Sequence, residues 1–139
     1  MYKEIKIGKK AVPLYSSGAT PIYYSRCFGK DCIKREAVLQ AKLSKIITMD
    51  QNNLKDEDMI TMAEWDTEYN DLARELCFIM AMQASHKNMN ELNEDSYIKW
   101  LNQFENVDIN DLSIEIMHIF NGISEHPESK KKIKKQSGK

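Results

Sequence analysis

Apolar and polar residues alternate at the start of the chain, on both sides of a Gly8-Lys9 pair. The alternating apolar positions are Ile5, Ile7, Val12 and Leu14. Alternation places every second side chain on one face of a strand, and a glycine between two such runs is typical of a tight turn. The pattern predicts a short β-hairpin within residues 1–19. A lone hairpin is only marginally stable, so its apolar face is expected to pack on the helices that follow.

After the hairpin the apolar spacing changes to steps of three and four, which predicts helices. Thr20 and Pro21 are expected to begin the first helix, with the Thr20 hydroxyl as its cap. Gly29 is expected to end it in a left-handed conformation, and Asp31 to cap the second helix. The apolar residues of that helix are Ile33, Val38, Leu39, Leu43, Ile46 and Ile47.

The strongest helical pattern follows a polar loop predicted at residues 48–58. From Met59 onward the apolar positions Trp65, Tyr69, Leu72, Ala73, Leu76, Ile79 and Met80 lie mostly three or four residues apart. The segment 78–84 is apolar nearly all round, which indicates a central helix covered on several sides. We expect the core to be built on this helix.

The remaining chain predicts a second loop at 86–93, a short amphipathic helix at 97–104 and a last helix capped by Asp108. The fold class is therefore mainly α: a bundle of about five helices with an N-terminal β-hairpin. Three regions are predicted, namely the hairpin at 1–19, the helical domain at 20–125 and a disordered basic tail at 126–139.

Charge and cysteine content narrow the function classes. The net charge is −1, yet six lysines lie within residues 130–139, so residues 1–129 carry −7. An acidic body makes nucleic-acid binding an unlikely function, because binders usually spread basic residues over a folded face. Three cysteines and an N-terminus without a signal peptide indicate reduced thiols and a cytoplasmic protein, and no apolar run is long enough to span a membrane.

No catalytic, cofactor-binding or metal-binding set is predicted. Cys27 and Cys32 do not have the spacing of zinc ligands, and the three histidines have no paired spacing with them. Acidic residues such as Asp66, Glu68 and Glu75 are interpreted as solvated surface charge. The methionines Met59, Met62, Met82 and Met89 are candidates for a partner-binding surface, because flexible thioethers suit such surfaces, although core packing is the commoner role of such methionines.

Several short motifs together resemble one protein family. They are Glu4-Ile-Lys-Ile-Gly8 followed by Lys10-Ala-Val-Pro-Leu14, then Ala19-Thr-Pro-Ile-Tyr-Tyr24, Arg26-Cys-Phe-Gly-Lys-Asp31, Leu76 to Ala84, Ser96 to Phe104, and a lysine-rich end. In order and spacing they resemble the tail assembly chaperones of long-tailed, siphovirus-type phages and prophages of Gram-positive bacteria. Cys32 stands where the family commonly has an aliphatic residue.

The resemblance implies a non-enzymatic protein that acts in the host cytoplasm and is absent from the mature virion. It would bind the tape measure protein, keep it soluble and promote polymerisation of the tail tube around it, with possible self-association. In many relatives a ribosomal frameshift produces an extended form that contacts the tail tube protein. The resemblance makes Lys130, Lys131 and Lys132 a candidate frameshift junction.

Two other classes stay open at the level of sequence. A small helical binding or regulatory protein of a mobile genetic element would use the same amphipathic helices on a different partner. An enzyme would show measurable turnover, and a metal protein would bind stoichiometric zinc.

Overall fold

The computed structural model describes residues 1–122. Two strands, six α-helices and one short 3₁₀ helix follow each other in these residues. They are β1 (Tyr2–Ile7), β2 (Lys10–Tyr15), α1 (Thr20–Phe28), α2 (Cys32–Ile47), α3 (Asp56–Ala84), the 3₁₀ helix (Met89–Glu91), α4 (Glu94–Leu101), α5 (Asn106–Asn110) and α6 (Ser113–Phe120). The mainly helical fold with an N-terminal hairpin is thus confirmed. The predicted tail, residues 126–139, lies outside the described residues.

The hairpin pairs β1 and β2 in antiparallel register, with Ile5 opposite Val12. Gly8 occupies the turn with a φ of +63°, a conformation that glycine adopts without a steric penalty. The four alternating apolar residues named above are all buried. The hairpin therefore packs its apolar face on the helical body, as the alternation predicts.

Helix α3 is the centre of the molecule. It packs against α1, α2, α4, α5, α6 and β2. Its inner segment from Leu72 to Ala81 contributes nine buried residues, and Leu76 is completely buried. The helix begins at Asp56, inside the loop that was predicted at residues 48–58. This earlier start is explained by three acidic residues in the first turn, because they favour the positive end of the helix dipole.

The predicted boundary between α1 and α2 is confirmed, and the predicted cap of α1 is wrong. Gly29 ends α1 in the left-handed conformation, and the Asp31 carboxylate accepts a hydrogen bond from Lys34 N at 3.1 Å. Thr20 does not cap α1, since Ala19 holds that position. The Thr20 hydroxyl is buried and instead donates to Gln83 Oε1 at 2.6 Å, which ties the start of α1 to α3.

The predicted last helix is divided, and Asp108 does not cap it. Asp108 lies inside α5, whose cap position is Glu105, and Leu112 precedes α6. Just after the break, the Ser113 hydroxyl lies 2.7 Å from Asn70 Oδ1 and 3.0 Å from the Asn110 carbonyl oxygen. These contacts hold the junction between α5 and α6 against α3. No helix within residues 1–122 combines the length and apolar character needed to cross a bilayer.

Candidate functional site

Helices α2 and α3 continue past the core as a pair that we call the α2–α3 arm, residues 40–71. Within this range no residue is buried, whereas both helices carry buried residues on the other side of it. The pair is held by the Trp65 indole, whose Nε1 donates to the Leu39 carbonyl oxygen at 2.9 Å. A weaker contact joins Lys42 Nζ and Glu68 Oε2 at 3.4 Å. The arm is therefore folded but leaves much of its side-chain surface uncovered.

An open groove of about 670 Å³ lies between the arm and the α5–α6 segment. Its volume falls in the range typical of ligand-binding clefts. Four helices contribute to it: α2, the outer half of α3, α5 and the start of α6. The lining residues are Gln40, Leu43, Trp65, Asp66, Tyr69, Asn70, Asn106, Val107, Asn110, Asp111, Ser113 and Ile114.

Two stacked aromatic rings are part of the groove wall. The ring centroids of Trp65 and Tyr69 are 4.9 Å apart and their planes differ by only 13°. Their spacing of four residues places them on one face of α3. Burial and the nearby Glu36 raise the pKa of Tyr69. The rings, together with Leu43, offer a rigid apolar surface to any side chain that enters the groove.

The opposite side of the groove exposes two β-branched side chains. Val107 and Ile114 are 62% and 64% exposed, although each is large and apolar. The groove is also lined by two carboxylates, Asp66 on α3 and Asp111 after α5. Within residues 1–122, no lysine or arginine lines the groove. The groove thus combines uncovered apolar side chains with a negatively charged margin.

A cluster of buried polar groups lies deeper along α3, and it corrects the interpretation of Glu75 as solvated surface charge. Only 9% of Glu75 is exposed. Its Oε1 accepts hydrogen bonds from Tyr24 Oη at 2.5 Å and from Arg35 Nη1 at 2.6 Å, and Lys30 Nζ lies 3.7 Å from Oε2. Arg35 also contacts the Tyr24 hydroxyl. Burial and the Glu75 carboxylate strongly raise the pKa of Tyr24, so its hydroxyl remains a proton donor.

The three cysteines are free, as predicted, and all are at least half-buried. Burial raises the pKa of Cys77 far above its usual value and that of Cys27 to about 11. Both thiols are therefore protonated near neutral pH and behave as small apolar side chains. Within the described part of the chain, no three His, Cys, Asp or Glu side chains come together in a way that would hold a metal ion.

The four methionines proposed as a partner surface are not brought together. Met59 is 56% exposed at the outer end of α3, and Met62 is half-buried one turn later. Met82 lies near the other end of the helix, about 30 Å away at 1.5 Å per residue. Both Met82 and Met89 pack against the core. Their role in binding stays a prediction, and Lys130, Lys131 and Lys132 lie outside the described residues.

Smaller clefts occur elsewhere, and two of them lie close to the core. One of about 450 Å³ lies beside Tyr2, Tyr15 and Tyr23, and Met89 contributes to it. The other, of about 580 Å³, lies beside Arg74, Glu75 and Tyr97. Neither of these two exposes large aliphatic side chains comparable to Val107 and Ile114, and two further clefts hold one exposed aliphatic side chain each, Val38 or Ile60. The groove combines two such side chains with a larger volume, so it is the strongest candidate for a binding site.

Periodicity alone did not identify the groove, because its residues come from four separate helices. The signal available in the sequence was the unusual length of the acidic, aromatic segment 56–71 before the apolar centre of α3. Comparisons with models of known families, with characterised proteins and with solved structures found no match to this chain. The groove and the sequence motifs are therefore the features that bear on the function of this protein.

Proposed function

We propose that this protein is a phage tail assembly chaperone that binds the tape measure protein and keeps it soluble. The observation that carries the proposal is the groove, with Val107 and Ile114 exposed on one side and the stacked Trp65 and Tyr69 on the other. Amphipathic helices bind such grooves by inserting apolar residues spaced three, four and seven positions apart. The sequence motifs described above support the choice of client.

Such a client has a large apolar surface that must be covered. A long amphipathic helix exposes more contiguous apolar surface than a soluble monomer normally tolerates, and that surface drives aggregation. One groove covers only a short segment, so several copies are needed along each client. Copies bound side by side would promote self-association, and they would leave the client when tube subunits replace them.

The second proposed partner is the tail tube protein, recruited by an extended form made through a ribosomal frameshift at Lys130, Lys131 and Lys132. Mass spectrometry of the products made from the native gene context tests this step. We expect a minor longer product that shares residues 1–129. A single product, together with unchanged phage yield after synonymous recoding of the three lysines, would remove the frameshift and leave the chaperone proposal intact.

Co-expression with the tape measure protein of the same phage tests the main proposal. We expect the wild-type chain to raise the soluble yield of the client, and Ile114→Glu to abolish this effect because it places a charge on the groove. Ile98→Glu is the matched control, since Ile98 is similarly exposed, at 54%, and lies on α4 away from the groove. An insoluble client in the presence of excess wild-type chain would contradict the proposal. Equal loss in both variants would contradict the assignment of the groove.

The neighbouring genes give an independent test. A tail tube gene upstream and a tape measure gene downstream would support the proposed function. An unrelated neighbourhood would favour the regulatory protein of a mobile element instead.

A further inference from the structure

The groove has a marked charge asymmetry that bears on the kind of helix it accepts. We infer that it selects amphipathic helices whose apolar stripe is flanked by lysine or arginine. This inference rests on the proposed function, since it specifies the client segment that the same groove would hold. It concerns the chemistry of the bound segment, whichever protein supplies it.

The outer half of α3 is strongly acidic. Residues 56–71 contain seven aspartates and glutamates and no lysine, arginine or histidine. One of them, Asp66, lines the groove, and Asp111 lines it from the end of α5. A helix lying in the groove would therefore have a carboxylate from each side near its flanks.

The cations close to the groove already have partners. Lys42 Nζ lies 3.4 Å from Glu68 Oε2, on α3. Arg74 is paired with Asp71 and donates to Asn110 Oδ1 at 2.9 Å. Neither charge is aimed at Asp66 or Asp111. Asp66 Oδ2 accepts one long hydrogen bond, from Asn70 Nδ2 at 3.4 Å, which leaves its charge unpaired. Both groove carboxylates therefore remain available to basic side chains of a ligand.

The apolar walls of the groove favour an amphipathic helix over a basic peptide that has no apolar stripe. Leu43, Trp65 and Tyr69 form one wall, and Val107 and Ile114 form the other. Val107 and Ile114 are seven residues apart, on consecutive helices. A ligand must bring several apolar side chains to cover these surfaces, and a helix presents them in a single stripe.

Two other occupants fit less well. The lysine-rich segment 130–135 of this chain carries one apolar residue, Ile133, and so brings little to cover the apolar walls. A second copy would offer Met59 and Ile60 on α3, whose acidic neighbours the groove carboxylates would repel. It would also offer Ile33 and Ile47 on α2, but these lie 14 residues apart and form no continuous apolar stripe. Charge complementarity favours a basic amphipathic helix of another protein.

Intrinsic fluorescence of Trp65 provides a direct readout in the full-length chain, after Trp100→Phe has removed the second tryptophan. Two synthetic peptides with the same leucine stripe are compared, one flanked by lysines and the other by glutamates. An exposed ion pair changes affinity by up to about fivefold, so two carboxylates predict about 5- to 30-fold tighter binding of the lysine peptide at low salt. Near 1 M salt the Debye length falls to about 3 Å, and the preference should largely disappear.

Removal of the two groove charges provides the specific test. Asp66→Asn with Asp111→Asn should reduce the preference to nearly onefold. The control, Glu4→Gln with Asp95→Asn, changes net charge equally at exposed positions outside the groove and should leave the preference intact. Loss of the preference in the control would show that it reflects overall charge and would overturn the inference.

The outcomes separate the inference from the function. Equal binding of both peptides would overturn the charge selection and leave the helix-binding function standing. No fluorescence response to either peptide would overturn the function and the inference together. Tighter peptide binding after Lys130, Lys131 and Lys132 are changed to glutamine would assign the groove to the chain's own tail. A dimer that Ile114→Glu dissociates would assign it to a second copy. Either assignment would overturn the inference.

Discussion

The buried pair of Arg35 and Glu75 is expected to stabilise the packing of α1 and α2 on α3, and a double-mutant cycle can measure this. Glu75→Gln keeps an oxygen that accepts from the Tyr24 hydroxyl but removes the charge. Arg35→Met keeps most of the apolar stem and removes the guanidinium. In the second variant the Glu75 carboxylate, whose side chain is 11% exposed, keeps only Tyr24 and the more distant Lys30 as partners.

The expected magnitudes follow from burial. Breaking a fully buried ion pair costs about 3–5 kcal/mol, and this pair should cost less because the Arg35 side chain is 25% exposed and can be partly hydrated. We expect a loss of about 2–4 kcal/mol for Arg35→Met and about 1–2 kcal/mol for Glu75→Gln. The double variant leaves no unpaired charge, so its loss should be smaller than the sum by about 1.5–3 kcal/mol.

Urea denaturation followed by far-ultraviolet circular dichroism measures the four free energies of unfolding. The Lys42–Glu68 pair is the control, because it also joins α2 to α3 but its side chains are 38% and 46% exposed. Its coupling should be below about 0.5 kcal/mol. The reasoning would be refuted if the coupling of Arg35 with Glu75 were no larger than that of the control pair.

Three further predictions concern the core, the hairpin turn and one thiol. Leu76→Ala should lower the free energy of unfolding by about 2–5 kcal/mol, since this leucine is completely buried at the centre of α3. Gly8→Ala should lower the free energy of unfolding by about 1–2 kcal/mol, because Gly8 has a positive φ and the new Cβ would stand 2.8 Å from Asp108 Oδ2. Gly18→Ala is the control: it has free space around it, so its loss in the same denaturation assay should be below about 1 kcal/mol. Burial, reinforced by nearby acidic groups, raises the pKa of Cys32 from 9.0 to about 11. The folded chain therefore keeps a proton that the unfolded chain loses, so this contribution to stability is complete below pH 9 and is lost as the pH rises through 11. Melting temperatures should fall less steeply over that interval in Cys32→Ala, and identical slopes would exclude the effect.

The sequence alone predicted those elements that are determined by residues close together in the chain. The hairpin depends on alternation around Gly8, and the α1–α2 boundary on Gly29 and Asp31, so both were predicted correctly. The central role of α3 follows from an apolar run that no surface helix would carry. In each case the chain within a few residues specifies the conformation.

Features that depend on tertiary contacts were not predictable in the same way. Glu75 resembles its acidic neighbours in sequence, and its partners Arg35 and Tyr24 lie 40 and 51 residues away. Helix α2 carries a continuous apolar pattern, yet Ile33 and Ile47 are 53% and 72% exposed because no element within residues 1–122 covers them. Apolar spacing indicates which residues can be buried, and only the arrangement of the other elements decides which of them are.

The division of α3 into two unequal environments leads to a last prediction about its dynamics. The helix has 29 residues, but its buried residues begin only at Leu72. The outer half, residues 56–71, is held mainly by α2, through contacts such as that of Trp65 with Leu39. Few buried contacts mean a low free energy of local opening, so its amides should exchange hydrogen faster than those of the inner half.

A bound helix would cover Trp65 and Tyr69, and it should slow exchange in the outer half while leaving the inner half unchanged. Uniform protection along the free helix would contradict this division. Protection by ligand of the inner half alone would place the binding site outside the groove.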